Sequence, residues 1–148
     1  MKTNLVLVIW IVIGLSLVGY KKQAAKGPAS SKPKRRLAWL VRDDGRAFRR
    51  PDGPPISLER RGTLSRILRA LAERHAASPG EALDVYELGE AGWPGQRIGT
   101  EAAVNRVRVA LTTLRKLGLR ELLVSRDDGY LLDPKARVAI VTDMNRPA

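Results

Sequence analysis

An uncharged run of sixteen residues, Leu5 to Tyr20, separates the start of this chain from everything that follows. As a helix the run would be about 24 Å long, at roughly 1.5 Å per residue. That is a little short of a bilayer core of roughly 30 Å, but the flanking lysines Lys2, Lys21 and Lys22 can snorkel and extend it. A buried core helix of a soluble domain is disfavoured, because the run lies at the N-terminal end, is apolar on every side and is followed by a tether. We therefore predict that residues 1–20 form a membrane-spanning or anchoring helix.

The basic residues around this run predict its orientation. Only Lys2 precedes it, whereas seven lysines and arginines follow between residues 21 and 36. The positive-inside rule then keeps the C-terminal domain in the cytoplasm, as in a single-pass protein of the inner (cytoplasmic) membrane. Two alternatives stay open. One is a cleaved signal peptide, although its best small-residue site, Gly27-Pro28-Ala29, lies far beyond the run. The other is an N-terminal segment that is not native to the domain, which would leave a soluble cytoplasmic protein.

Residues 21–36, KKQAAKGPASSKPKRR, are rich in proline, serine, alanine and charge and show no apolar periodicity. They predict a basic disordered linker. The first 36 residues carry eight basic side chains and no acid, whereas residues 37–148 carry 19 basic and 15 acidic ones. Most of the net charge of +12 therefore belongs to the N-terminal segment. The domain itself is only mildly basic, so charge alone does not establish nucleic-acid binding.

The domain from residue 37 opens with three short strand patterns. We predict strands at residues 37–41, 47–49 and 56–58, separated by the turn signals Asp43-Asp44-Gly45 and Pro51-Asp52-Gly53-Pro54-Pro55. Strands this close together in the chain favour a small antiparallel sheet.

Three helices are predicted next. The first covers residues 60–75, where Leu64, Ile67, Leu68 and Leu71 form one apolar stripe. The second covers residues 85–91 and begins with a capping-box variant, in which Asp84 caps the helix and Glu87 reaches back. The third covers residues 101–117, with Thr100 as the expected cap and Gly118 as the left-handed stop. Its expected buried side consists of Ala103, Val104, Val107, Ala110, Leu111, Leu114 and Leu117.

The chain closes with a predicted hairpin, residues 122–132, in which two strands flank Asp127-Asp128-Gly129. Asp-Gly between apolar strands is a strong tight-turn signal. Strands, three helices and a terminal hairpin predict an α+β domain over residues 37–148, and this order favours a winged helix-turn-helix with the hairpin as its wing.

The outer side of the third predicted helix carries Asn105, Arg108, Val109, Thr112 and Lys116, flanked by Arg106 and Arg115. Arginine can bind guanine edges in a fork, asparagine can pair with adenine, and threonine can touch the methyl group of thymine. Such a face is suited to the major groove of DNA.

Three stretches together resemble the OmpR/PhoB-type winged-helix output domains of bacterial transcriptional regulators. They are VRVALTTLRK at residues 107–116, RDDGYLL at 126–132, and Gly92-Trp93-Pro94-Gly95 after the second helix. The resemblance implies that the third helix enters the major groove and that the preceding loop faces the DNA backbone or RNA polymerase. It also implies that the arginine of the wing approaches the minor groove. The positions that match the family's contacts are Arg108, Thr112, Arg115, Lys116 and Arg126.

These observations predict sequence-specific binding of double-stranded DNA by a transcriptional regulator, tethered to the membrane through residues 5–20 if that segment is retained. RNA polymerase or another regulator is a further expected partner. The candidate DNA-binding residues are Asn105, Arg108, Thr112, Arg115, Lys116 and Arg126. The alternative is a winged-helix protein-interaction module without DNA binding. The mild charge of the domain and the acidic hairpin tip, Asp127 and Asp128, favour that alternative.

An enzymatic function is not expected. The chain has no cysteine, so disulfides, thiolate metal sites and cysteine nucleophiles are excluded, and the single histidine, His75, cannot build a zinc site or a dyad alone. The sequence contains no phosphate-binding GxxxxGK loop and no HExxH motif. The paired carboxylates Asp43-Asp44 and Asp127-Asp128 stand beside glycine in turn signals. We therefore predict no catalytic residues, no metal and no cofactor.

Overall fold

The computed structural model describes residues 38–127 and 129–145, and in this part of the chain the protein is an α+β structure with three helices and two small sheets. The strands are β1 (Trp39–Arg42), β2 (Ala47–Arg49), β3 (Pro55–Ser57), β4 (Leu83–Asp84), β5 (Leu123–Arg126), β6 (Gly129–Leu132) and β7 (Val138–Val141). The helices are α1 (Gly62–Ala77), α2 (Val85–Gly92) and α3 (Thr100–Leu114), and α3 continues into a wider, π-helical turn over Arg115–Leu119.

The predicted membrane helix at residues 1–20 and the predicted linker at 21–36 lie outside the described residues. Within the described ranges, no helix combines the length and the apolar character that a membrane crossing requires.

The first sheet has the strand order β3-β2-β1-β7. The three strands predicted from the sequence pair antiparallel, with Leu40 opposite Arg49 and Phe48 opposite Ile56. The fourth strand, β7, was not predicted and pairs parallel with β1, from Trp39 opposite Val138 onwards. The sheet is therefore mixed rather than antiparallel, because a strand from the end of the domain adds to its edge.

The second sheet has the order β4-β6-β5 and contains the predicted hairpin. Arg126 pairs with Gly129, so two residues connect the strands and Gly129 belongs to β6, not to the turn as expected. Asp127 takes the left-handed conformation, with φ of 48°. The reason for a glycine at 129 is the unpredicted strand β4, since a Cβ at this position would lie 2.8 Å from the carbonyl oxygen of Leu83.

The apolar stripe of α1 is buried as predicted: Leu64, Ile67, Leu68 and Leu71 all lie in the main hydrophobic core. The turn between β1 and β2 is attached to this helix, because the hydroxyl of Ser65 donates to the carbonyl oxygen of Asp44 at 3.1 Å. Burial by itself would raise the pKa of Asp44. Hydrogen bonds from the Arg46 amide and the Arg42 guanidinium, together with both charges, lower that pKa instead.

The capping box at the start of α2 is confirmed. The Glu87 amide donates to Asp84 Oδ1 at 2.8 Å, and the Asp84 amide donates to Glu87 Oε2 at 2.9 Å. The expected cap of α3 is wrong: Thr100 is its first helical residue, and Gly99 is the N-cap residue with no side-chain hydrogen bond. At the other end, regular α3 stops at Leu114, three residues before the predicted end, and Gly118 breaks the helical conformation inside the turn that follows, with φ of 134°, which a side chain would disfavour.

The inner side of α3 packs into the same core as α1. Four of its seven predicted positions are buried, namely Val107, Ala110, Leu111 and Leu114. Ala103, Val104 and Leu117 are only half-buried, because they lie at the margins of the contact. The inner side of α3 is thus held against the core, and its opposite side faces outwards.

Candidate nucleic-acid interface

The outer face of α3 consists of Asn105, Arg108, Val109, Thr112 and Lys116, all of which are exposed. Val109 is the most unusual member, because this apolar residue is 60% exposed. The hydroxyl of Thr112 donates to the Arg108 carbonyl oxygen at 2.8 Å. Its hydrogen is therefore used within the helix, and Thr112 offers the surroundings an acceptor and a methyl group. The face combines forked donors, an amide and methyl groups.

Four of the six sequence-predicted site residues lie together on this face: Asn105, Arg108, Thr112 and Lys116. Their spacing of three or four residues corresponds to one side of a helix. No acidic residue stands between positions 105 and 116. This part of the predicted site is therefore one continuous exposed surface.

Arg115, the fifth predicted residue, is bonded to the hairpin. One of its guanidinium nitrogens donates to Ser125 Oγ at 2.9 Å and lies 3.5 Å from the Leu123 carbonyl oxygen. The guanidinium carbon also lies 5.9 Å from the centre of the Tyr130 ring, within cation–π range. Arg115 thus joins the end of α3 to both hairpin strands.

Arg126, the sixth predicted residue, is exposed on β5 and also has an internal partner. Its guanidinium donates to the carbonyl oxygen of Gly80 at 3.2 Å, in the segment that follows α1. Arg126 thus belongs to the hairpin and not to the helical face that carries the other four residues, and its guanidinium is bonded to the segment after α1.

Two depressions flank the outer face of α3. The first, here called the hairpin groove, has a volume of about 640 Å³ and lies between α3, the start of α2 and the β5–β6 hairpin. Its charged lining consists of Arg108, Asp84 and Asp127, and its aromatic lining consists of Tyr86 and Tyr130. The hairpin groove therefore offers one cation and two carboxylates.

The second depression, here called the arginine cleft, has a volume of about 530 Å³ and lies on the other flank of α3, beside the start of α1. It is lined by Arg60, Arg61 and Arg106, with Trp93 and Asn105 among the neighbours, and its lining contains no acidic residue. The guanidinium carbon of Arg106 lies 5.8 Å from the centre of the Trp93 ring. The two flanks of α3 thus differ sharply in charge.

The sequence prediction missed most of the arginine cleft. The sequence predicts Arg106 only as a neighbour of the outer face of α3. It predicts Arg60 and Arg61 in the first turn of the first helix, whereas α1 begins at Gly62. The available signal was the pair Arg60-Arg61 directly before α1. Its proximity to α3 depends on the packing of two helices about 40 residues apart, which no local pattern contains.

Among the described residues, no group of three or more His, Cys, Asp or Glu side chains is arranged to hold a metal ion. His75 lies near the end of α1, half-buried, and its Nδ1 atom is buried without a hydrogen-bond partner.

Comparison of the chain with protein-family models, curated proteins and solved structures found no match.

Proposed function

We propose that residues 37–148 form a winged-helix domain of the OmpR/PhoB type that binds double-stranded DNA in a sequence-specific manner. In this proposal α3 is the recognition helix and the β5–β6 hairpin is the wing. The order of three helices followed by a hairpin supports the proposal, as do the three stretches of sequence that resemble the family.

The observation that carries the proposal is the outer face of α3. Its side chains supply the hydrogen-bonding groups that distinguish bases in the major groove, and they are exposed over about three turns of one helix. In this arrangement Arg108, near the middle of the helix, contacts a base edge. Lys116, two turns further on, contacts the phosphate backbone, where the helix leaves the groove.

A second function, a protein-interaction module without DNA binding, is favoured by one specific observation. The hairpin groove contains Asp84 and Asp127, and Tyr86 at its edge is 59% exposed. Carboxylates repel phosphate, whereas an exposed tyrosine is a common anchor at protein interfaces. RNA polymerase or another regulator would be the partner in this case.

Membrane tethering through residues 5–20 is a separate proposal that rests on the sequence alone. A reporter fused at Ala148 tests it. Fluorescence of a cytoplasmic reporter is the expected result, and activity of alkaline phosphatase at this position would favour the cleaved signal peptide instead.

The DNA proposal is tested with the full chain, kept in solution by a non-ionic detergent that adds no charge. Duplexes bound from a random pool are selected and sequenced, and the preferred site is used for titrations. Arg108→Ala should weaken binding to that site by about 1–3 kcal/mol, because a fork-shaped contact to guanine is lost, and should reduce discrimination between related sites.

Lys116→Ala should instead weaken binding to all duplexes alike, and it should reduce the slope of the logarithm of the binding constant against the logarithm of the salt concentration by about one unit. Arg137→Ala is the control, since Arg137 is an exposed arginine beside β7, outside the linings of both depressions that flank α3. Selection of no preferred duplex, together with unchanged binding in both α3 variants, would refute the DNA proposal and favour the interaction module.

A further inference from the structure

We propose that the arginine cleft holds the phosphate backbone of the bound duplex, so that the main electrostatic contact lies on the α1 flank of α3 and not at the hairpin. This inference rests on the proposed DNA binding and specifies where the domain contacts the DNA backbone.

The charge of the two flanks is the first argument. The arginine cleft brings together Arg60, Arg61 and Arg106 without an acidic residue in its lining. The hairpin groove has one arginine against two carboxylates. A phosphate that approaches α3 therefore meets attraction on one flank and repulsion on the other.

The absence of carboxylate partners is the second argument. Within the described part of the chain, six arginine–carboxylate contacts involve Arg42, Arg46, Arg69 and Arg74, and none involves an arginine of the cleft. All three cleft arginines are exposed on the surface of the domain. Arg115 and Arg126, by contrast, already donate hydrogen bonds to protein oxygens. The cleft arginines thus remain available to an external anion.

Continuity with the recognition surface is the third argument. Asn105 and Val109 belong to the outer face of α3 and also line the arginine cleft. A helix in the major groove has a sugar-phosphate strand on each side of it. One of these strands would then pass directly over the cleft. Arg106 lies beside this surface, with its guanidinium carbon over the Trp93 ring at 5.8 Å, within cation–π range.

The position of the cleft beside α3 explains how a domain with a small net charge could bind DNA. The domain carries only four more basic than acidic residues, and the hairpin tip is acidic. A domain with this balance can still bind DNA if its arginines without a carboxylate partner are concentrated on one flank of the recognition helix and the acids of the hairpin groove lie on the other flank.

The test uses the full chain in non-ionic detergent and the double variant Arg60→Gln/Arg61→Gln. Each phosphate contact contributes about 0.9 units to the slope of log K against log salt, so the slope should fall by nearly two units. The affinity of the variant for DNA, relative to that of the parent, should therefore be roughly tenfold lower per arginine at about 0.1 M salt than at about 1 M salt. Arg60→Lys/Arg61→Lys retains both charges and should retain most of the slope.

The matched control is Arg46→Gln/Arg137→Gln, which removes the same charge from exposed positions outside the arginine cleft and the hairpin groove. An equal loss in the control would overturn the inference, because net charge and not the cleft would then be responsible. If Arg108→Ala weakens binding but Arg60→Gln/Arg61→Gln does not, the inference fails and the proposed function stands. If the parent protein binds no duplex at any salt concentration, both fail.

Discussion

Replacement of Arg115 by methionine separates a structural role from a DNA contact at the end of α3. The guanidinium of Arg115 bonds to Ser125 Oγ at 2.9 Å and lies over the ring of Tyr130. Methionine keeps the apolar stem of the side chain and removes the charge and the donors. We expect a clear loss of stability and only a small effect on DNA binding.

The magnitude follows from these contacts. A net hydrogen bond contributes about 0.5–1.5 kcal/mol, and an exposed cation–π contact contributes about 0.5–1 kcal/mol. The approach to the Leu123 carbonyl oxygen, at 3.5 Å, is at the limit of hydrogen bonding and adds little. Since Ser125 is exposed, its hydroxyl is solvated after the change. The expected decrease in the free energy of unfolding is therefore about 1–2.5 kcal/mol.

Denaturant titration of the full chain measures this decrease, with Lys116→Met as the control. Lys116 is the adjacent residue, is exposed and loses the same charge, so its replacement should change the unfolding free energy by less than about 0.5 kcal/mol. The double variant Arg115→Met/Ser125→Ala then gives the coupling energy, for which we expect about 0.5–1.5 kcal/mol.

DNA titration provides the second readout. Arg115→Met should leave the salt slope nearly unchanged, whereas loss of a phosphate contact at Lys116 should reduce it by about one unit. Equal stabilities of the Arg115 and Lys116 variants, with zero coupling to Ser125, would show that the guanidinium is not held by the hairpin. In that case Arg115 would be free to contact DNA.

Three further predictions concern the core, the second sheet and the hairpin. Leu68→Ala should lower the free energy of unfolding by about 2–5 kcal/mol, since Leu68 is 0% exposed, and a loss below about 1 kcal/mol would contradict its place in the core. Gly129→Ala should lower the free energy of unfolding by about 1–3 kcal/mol, because its Cβ would lie 2.8 Å from the Leu83 carbonyl oxygen. Gly89→Ala in α2 is the control, since its Cβ would meet no atom within 4 Å and should not destabilise the protein; thermal denaturation compares the two variants. Asp127→Asn should strengthen non-specific DNA binding at low salt, because it removes a charge that repels phosphate. Titration of the protein into labelled duplex, followed by fluorescence anisotropy, measures this binding, and an unchanged affinity would place the hairpin away from the duplex.

The sequence predicted the features that depend on neighbours along the chain. The stripe of α1 follows from apolar residues at the helical period. The capping box follows from Asp84 and Glu87 three residues apart, and the break in the helical conformation at Gly118 follows from the freedom of glycine at positive φ. The outer face of α3 was predicted for the same reason: once Val107, Leu111 and Leu114 are assigned to the core, helix geometry makes the opposite side exposed. Four of the six candidate residues lie together on this exposed side.

Only the tertiary structure decided the remaining features, because they depend on residues distant in the chain. Strand β4 consists of two residues and β7 pairs with β1 across the length of the domain, so neither has a turn or a period that identifies it. Arg115 and Arg126 resemble free surface arginines in the sequence, yet packing brings oxygens of Ser125 and Gly80 within hydrogen-bond distance of them. The arginine cleft forms for the same reason. A local pattern determines which side of a helix is apolar, but the side chains beside its polar face are determined by how the helices and the hairpin pack.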